Sequence, residues 1–489
     1  MCTARWRGRL RRQRALSSTL NGNGTPPLPF CENHMDALTQ LVQAINSFLW
    51  GPYCLIPLLC GTGLYYTLRL RAVQVRKFGA CVRHVCGGFS LRGEKASGQG
   101  MSSFQALATA VAAQVGTGNM VGMATALVTG GPGAIFWMWI AAFFGMATIF
   151  AEAILAITFK DRDEAGHVVG GPAYYIRKGI GSKTLATFFA VAIIIALGCV
   201  GNMVQSNSIA DAFVTAFAVP APVVGVVVAV LAGIVFFGGI GRLAAVTEKL
   251  VPVMAALYLV GGIYILATHG EAFLQCLKDI FHYAFSAEAA VGGVAGATVQ
   301  EAMRYGIARG LFSNEAGMGS TPHAHAVSKV LHPVMQGFAA IMGVFITVII
   351  CSLSAFVVLS TGVMGGNVTG VVLTQRAFSS ALGGLGNAYV AIILFFFAFS
   401  TIIGWYFFGE QNIKYLFGRK ALTPYRLVVM SFIVLGATLK VTLVWELADL
   451  FNGLMVLPNL VALIGLAKIV SKSLDDYENR FIKRYPELE

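Results

Sequence analysis

Charge is scarce in this chain. Asp, Glu, Lys and Arg make up 12% of its 489 residues, about half the share that a soluble globular protein carries. That scarcity excludes a disordered chain and argues against a soluble enzyme. A disulfide framework is excluded too. Nine cysteines are thinly spread, and Cys54, Cys60, Cys199 and Cys351 fall inside apolar runs, where a free cysteine acts as a small hydrophobe. Cys81, His84 and Cys86 stand together in a basic stretch. Three potential ligands lack the fourth that a structural zinc takes, so no transition-metal site is expected. No phosphate-binding loop of the G-x-x-x-x-G-K-[ST] kind is present, so ATP is not expected to drive the protein directly. Residues 1–34 lack the apolar core of a signal peptide.

Apolar residues fill the space. They make up 56% of the chain, and the mean hydropathy is +0.72. The apolar runs are continuous rather than alternating, which disfavours a transmembrane barrel and describes an all-α polytopic membrane protein. Eleven stretches are long enough to span a bilayer: 44–68, 102–128, 133–158, 184–216, 222–241, 249–268, 297–325, 334–361, 387–413, 425–443 and 447–470. The more polar stretch 268–297 repeats Phe, Leu and Ile at helical spacing, as an interfacial helix or an ordinary loop helix would.

The formal charge of +13 needs no nucleic acid to explain it. Lys and Arg concentrate in 69–101, 159–183, 414–426 and the tail after 470. Eleven alternating spans put all four segments on one side, which the positive-inside rule makes cytoplasmic. The C-terminus is then inside, the localisation is the cell's inner (plasma) membrane, and residue 44 is outside. Six arginines between Arg5 and Arg14 oppose this orientation. The expectation is therefore that the mature protein starts near Met35, with 1–34 an over-extended reading or a cleaved, disordered tail.

The segment LATAVAAQVGTGNMVGMATALVTGGPG at 107–133 carries the chemistry. Gly116, Thr117, Gly118 and Asn119 lie near its middle and weaken a helix there. Unwound backbone inside a membrane is tolerated where it is buried in protein or lines a wet cavity. Freed carbonyls suit a hard cation such as Na⁺, and freed N–H groups with the half-helix dipole suit a carboxylate. The alternative reading is close helix packing on small residues. A second interrupted stretch, YGIARGLFSNEAGMGSTPHAHA at 305–326, holds Arg309 and Glu315 at membrane depth. The two breaks open spans two and seven, each heading a set of five, the pattern of an inverted repeat with its site between the halves.

From about Met35 to about residue 470 the chain resembles the alanine or glycine:cation symporter family. The resemblance rests on VGTGNMVGMATAL, GGPGAIFWMWIAAFFGMAT, AEAILA, GGPAYYI, GNMVQSNSIAD, EKLVPVMAALY, ARGLFSNEAGMGS and FAFSTIIGWYFFGEQ. It implies the inverted five-plus-five helix repeat of the bacterial leucine transporter with one extra N-terminal helix. The first repeat would cover about 102–268 and the second about 297–470, within a transporter domain at 35–470 and ahead of a cytoplasmic tail at 471–489. It also implies sodium-driven uptake of alanine, glycine or a similar small neutral amino acid, with H⁺ as the alternative coupling ion and no organic cofactor.

Carried over residue by residue, the resemblance puts Thr117, Gly118, Asn119, Gln205 and Trp405 on the substrate. It puts Ser400 and Thr401, with the carbonyls of Ala112, Val115 and Ala398, on the sodium. Glu152, Arg309, Glu315 and Glu410 are gate or structural charges. Ile149 departs from the family's usual Lys, which leaves Glu152 without a local cation, and residues 102–128 contain no acid. The rival readings are a proton-coupled permease of similar fold and a non-transporting amino acid sensor. An enzyme is not expected, since the spans offer no nucleophile–base pair. Substrate side chain and oligomeric state are left open.

Overall fold

A computed structural model describes residues 29–51, 53–87, 100–286, 298–365, 368–439 and 441–486. The chain divides into two compact units, 1–44 and 45–489. The described part of the first is the start of helix Pro29–Leu49, which begins ahead of Met35. The expectation for residues 1–28 lies outside the described residues.

The second unit is almost entirely helical. Among the described residues, seven helices are long and apolar enough to cross a membrane, eight if one bent pair counts as a single span. Three of the expected spans rest on shorter helices: Leu55–Arg69, Ala221–Phe236 and Val299–Asn314. The polar stretch after 268 forms helix Gly270–Tyr283. Several helices were not anticipated, among them Phe78–Gly87 in the first basic segment. Another, Gly370–Leu382, carries Arg376 and is too short and polar to read as a span, yet buries Val371, Leu373, Ala377 and Phe378. A two-stranded hairpin, Asp161–Arg162 against Val168–Val169, is the described exception to helix.

The first break appears where glycine weakens the helix, and the second just ahead of Gly317 and Gly319. Helix Ser103–Gln114 starts on a reciprocal cap between Ser102 and Gln105, which satisfies two orphan N–H groups. It ends at Val115, and the chain resumes as a π-helical turn at Gly118–Gly122 and helix Met123–Gly130, bent by 48°. Helix Val299–Asn314 ends on Glu315 in the left-handed region, φ 58°, and a loop leads to the short helix Pro322–Ala326. Within that loop Gly317 and Gly319 also have positive φ, 85° and 81°, which a side chain would resist.

The four basic segments share one face. Arg76 and Lys77 pair with Glu478 of the C-terminal region. Arg419 lies 3.8 Å from Asp163. The turn 327–333 joins these two groups, since Lys160 Nζ donates to Ser328 O at 3.2 Å and His332 lies 3.4 Å from Asp476. On this rim Lys178 donates to Asp161 and holds its carboxyl below the usual range.

Candidate functional site

The first break exposes backbone groups to three neighbouring helices. Helix Gly386–Phe417 runs past it and brings Ser400 and Thr401 against the end of Ser103–Gln114. Ser400 Oγ lies 3.1 Å from Ala112 O and 3.5 Å from Val115 O. Thr401 Oγ1 lies 3.1 Å from Ala112 O and 3.2 Å from Ala113 O. Each hydroxyl has a single proton to donate, so these contacts crowd three carbonyls and two hydroxyl oxygens into one buried spot. Both hydroxyls also reach Phe397 O on their own helix, at 2.8 and 3.1 Å, the back-bonding usual for Ser and Thr. That shared carbonyl belongs to the residue before Ala398, and Ala113 is a member the sequence reading missed.

Beyond the oxygens the break turns donors outward. Thr117 N–H donates to Gln205 Oε1 at 3.2 Å, and Gly116 N–H to Asn119 Oδ1 at 2.9 Å. Asn119 Nδ2 donates to Ser313 Oγ at 2.7 Å and lies 3.3 Å from Cys351 Sγ. Gln114 Nε2 donates to Asn314 O at 2.6 Å. The two broken spans are thus stitched together by Asn119 and Gln114. Sequence reading did not find Ser313, Asn314 or Cys351 as partners, because such pairings depend on which helices meet. Thr117 Oγ1 and Gln205 Nε2 are buried without a hydrogen-bond partner, a cost of about 1–3 kcal/mol each that a ligand can relieve. Glycines make room: a Cβ at Gly116 would collide with the Thr401 hydroxyl and come within 3.0 Å of Gln205 Oε1, and one at Gly118 would lie 2.8 Å from the Phe312 ring.

Trp405 closes the other side. Its ring is 1% exposed, lies against Gly201 and meets Phe312 edge-on at 5.5 Å. Its Nε1–H donates to Glu315 Oε1 at 2.6 Å. Phe312 in turn packs on Trp445, which lies under Arg309.

The four charges separate into different surroundings. Arg309 forms a two-pronged bond to Asp449, 2.8 Å on each arm, and Asp449 is a partner that sequence reading missed. Glu410 has Lys414 at 2.7 Å and accepts from the Tyr406 hydroxyl, so it belongs to the basic end of its helix. Among the described residues Glu152 has no cation within ion-pairing distance. It accepts from Gly317 N at 3.0 Å, Gly319 N at 2.9 Å and Asn459 Nδ2 at 2.6 Å. Glu315 and Glu152 are therefore both fastened to the loop of the second break.

Two broken helices facing each other across a buried polar centre are the arrangement of a membrane transporter. The manganese transporter of Eremococcus coleocola superposes with a TM-score of 0.51 at 15% identity, over 74% of this chain and 75% of that one. That likeness is one of fold alone. The sequence pattern of the sodium:alanine symporter family matches residues 35–487, and the chain belongs to that family. Among its relatives, the sodium/alanine symporter AgcS of Methanococcus maripaludis is 41% identical over 88% of this chain and 95% of its own. The amino-acid carrier protein AlsT of Bacillus subtilis is 41% identical over 90% and 92%. The probable sodium/glutamine symporter GlnT of the same bacterium is also 41% identical, over 90% and 91%.

Proposed function

We propose that this protein imports a small neutral amino acid, alanine or glycine, together with Na⁺ by alternating access. The observation that carries the reading is the cluster of carbonyls from Ala112, Ala113 and Val115 with the hydroxyls of Ser400 and Thr401. Neutral oxygens in that number suit a hard cation. The substrate carboxylate then takes the N–H groups around Thr117 and Gly118, with Asn119 and Gln205 orienting it, next to the half-helix dipole. The orphaned Thr117 hydroxyl and Gln205 amide gain partners when it arrives. Trp405, seated against Gly201 and Phe312, limits the side chain that fits. Relatives equally similar to this chain are named for alanine and for glutamine, so substrate size is assigned on this enclosure rather than on identity. The site residues are buried from both faces of the protein, as alternating access requires of an occluded state. The face shared by the four basic segments is cytoplasmic by the positive-inside rule, which puts the C-terminus inside a plasma membrane. The membrane domain is taken to start near Met35.

The test is uptake of labelled alanine into proteoliposomes with and without an inward sodium gradient. Accumulation is expected with the gradient and not without it. Uptake driven by a pH gradient in the absence of sodium would overturn the reading and install the proton-coupled permease in its place.

A further inference from the structure

Glu152 and Glu315 are both 0% exposed and both hold the loop of the second break, but their partners differ in kind. The three groups on Glu152 are N–H donors, which can do nothing but donate and so fit an ionised carboxylate. Glu315 has one N–H donor, Trp405 Nε1 at 2.6 Å on Oε1. Its other oxygen meets the Ser320 hydroxyl. A hydroxyl turns: it donates to a carboxylate and accepts from a carboxylic acid. Among the described residues no Lys, Arg or His lies within ion-pairing distance of Glu315. A buried charge left without a cation is costly, and a bound proton removes the cost.

The other ionisable groups nearby do not supply a counter-charge. Glu152, from helix Gly133–Thr158, interacts with Glu315 as a like charge. His323, from Pro322–Ala326, lies with Nδ1 2.6 Å from Ser320 O and Nε2 2.8 Å from the Asn412 amide nitrogen. The first contact takes a donor and the second an acceptor, so this imidazole is neutral. Tyr175 is engaged by Asn459. Arg309, on the same helix as Glu315, is neutralised by Asp449.

We propose that Glu315 is a proton-binding site of the transport cycle, and that its proton sets how firmly Trp405 is held. The proton comes from water on the open side and bonds to the oxygen facing Ser320, whose hydroxyl turns to accept it. The carboxylate goes from −1 to neutral. Trp405 then donates to an uncharged oxygen, a weaker hydrogen bond, and the ring is freer to leave. The proposal rests on the preceding reading only in treating Trp405 as a wall of the substrate site.

Tryptophan fluorescence of the purified full chain in detergent, titrated from about pH 5 to about pH 9, tests the site without transport. The wild type is expected to show a step that is lost in Glu315→Gln and in Trp405→Phe. Glu315→Asp, with a shorter reach to Trp405, keeps a step with a displaced midpoint. A wild type with no step, a step surviving in Glu315→Gln, or an undisplaced one in Glu315→Asp would overturn the proposal. In proteoliposomes, sodium-driven alanine uptake by Glu315→Gln should be flat across the pH range in which the wild type varies. Matching pH profiles would also overturn it. A wild type that takes up no alanine at all strikes instead at the proposed function and leaves the fluorescence result to judge the proton site.

Discussion

The two breaks interrupt their spans by different means. The first is neutral. Its bend at 115–117 is held by amides, hydroxyls and carbonyls, and several of these polar atoms lack partners. The second is braced. Glu315 closes the helix, Gly317 and Gly319 turn left-handed, and two buried carboxylates grip the loop between Glu315 and Ser320. A neutral break with orphaned groups can take up a cation and a zwitterion without first ejecting a charge. A braced break keeps its shape while its partner is loaded. On the proposed function, binding belongs to the first break and support to the second, and Trp405 is tied to the second through Glu315 and Phe312.

The largest effect should come from filling the neutral break. Gly116→Ala puts a methyl group against the Thr401 hydroxyl and Gln205 Oε1, displacing the carbonyl cluster. Uptake is expected to fall about 100-fold or more, the usual cost of a misplacement near 1 Å in a tuned site. Gly118→Val should abolish uptake as well, because its side chain meets Phe312 beside the carboxylate position. Near-normal uptake in both, measured with labelled alanine at matched expression, would sink the assignment of binding to this break.

The next effect separates the two carboxylates. Glu152→Gln replaces an oxygen by an NH₂ facing donors, leaving a buried backbone N–H of Gly317 or Gly319 unpaired. Stability should drop by about 2–3 kcal/mol. Glu315→Gln keeps an acceptor for Trp405 and a flexible hydroxyl partner, and should cost about 1 kcal/mol or less. Thermal unfolding of the two purified variants side by side decides the order; a reversed order would remove the distinction between braced and switchable carboxylates.

The neutral break was legible because its information is local. Gly-Thr-Gly-Asn in an apolar run conflicts with helix at the level of residue type, and that conflict marked the site correctly as a break. The bracing of the second break was not legible in the same way. Glu152 is held mainly by backbone N–H groups of residues 165 and 167 positions along the chain, and a backbone donor leaves no mark in residue identity. Asp449 escaped notice for a similar reason: it stands at the edge of an apolar run, and its value lies in facing Arg309 across the bundle. Helix Gly370–Leu382 was invisible to a span search because its apolar face is short and interleaved with Gln375 and Arg376. The positions of the long helices followed from hydropathy almost unaided, while their ends and pairings did not.

A smaller effect is expected at the carbonyl cluster itself. Thr401→Val keeps the volume and removes a hydroxyl that touches Ala112 O and Ala113 O. Ser400 and the carbonyls remain to hold the cation, so transport should survive. The sodium concentration for half-maximal uptake should rise about tenfold, equivalent to about 1.4 kcal/mol. A change in maximal rate at unchanged sodium dependence would place the hydroxyl in packing rather than in cation binding.

The smallest effect tests the tie between Trp405 and the second break. Trp405→Phe keeps an aromatic wall against Gly201 and Phe312 and deletes the donor to Glu315. Half-saturation for alanine should weaken about threefold, the worth of one modest hydrogen bond, and the order of preference among alanine, valine and leucine should be kept. Trp405→Ala removes the wall itself, and the space left by the indole should admit the larger side chains. The pair divides two roles that one side chain holds. If Phe already admits valine and leucine, size selection depends on Glu315 fixing the ring's position, and support from the braced break reaches the substrate directly. If Ala leaves the competition profile unchanged, the ring is no wall of the pocket, and the second break supports the first through Asn119–Ser313 and Gln114–Asn314 instead.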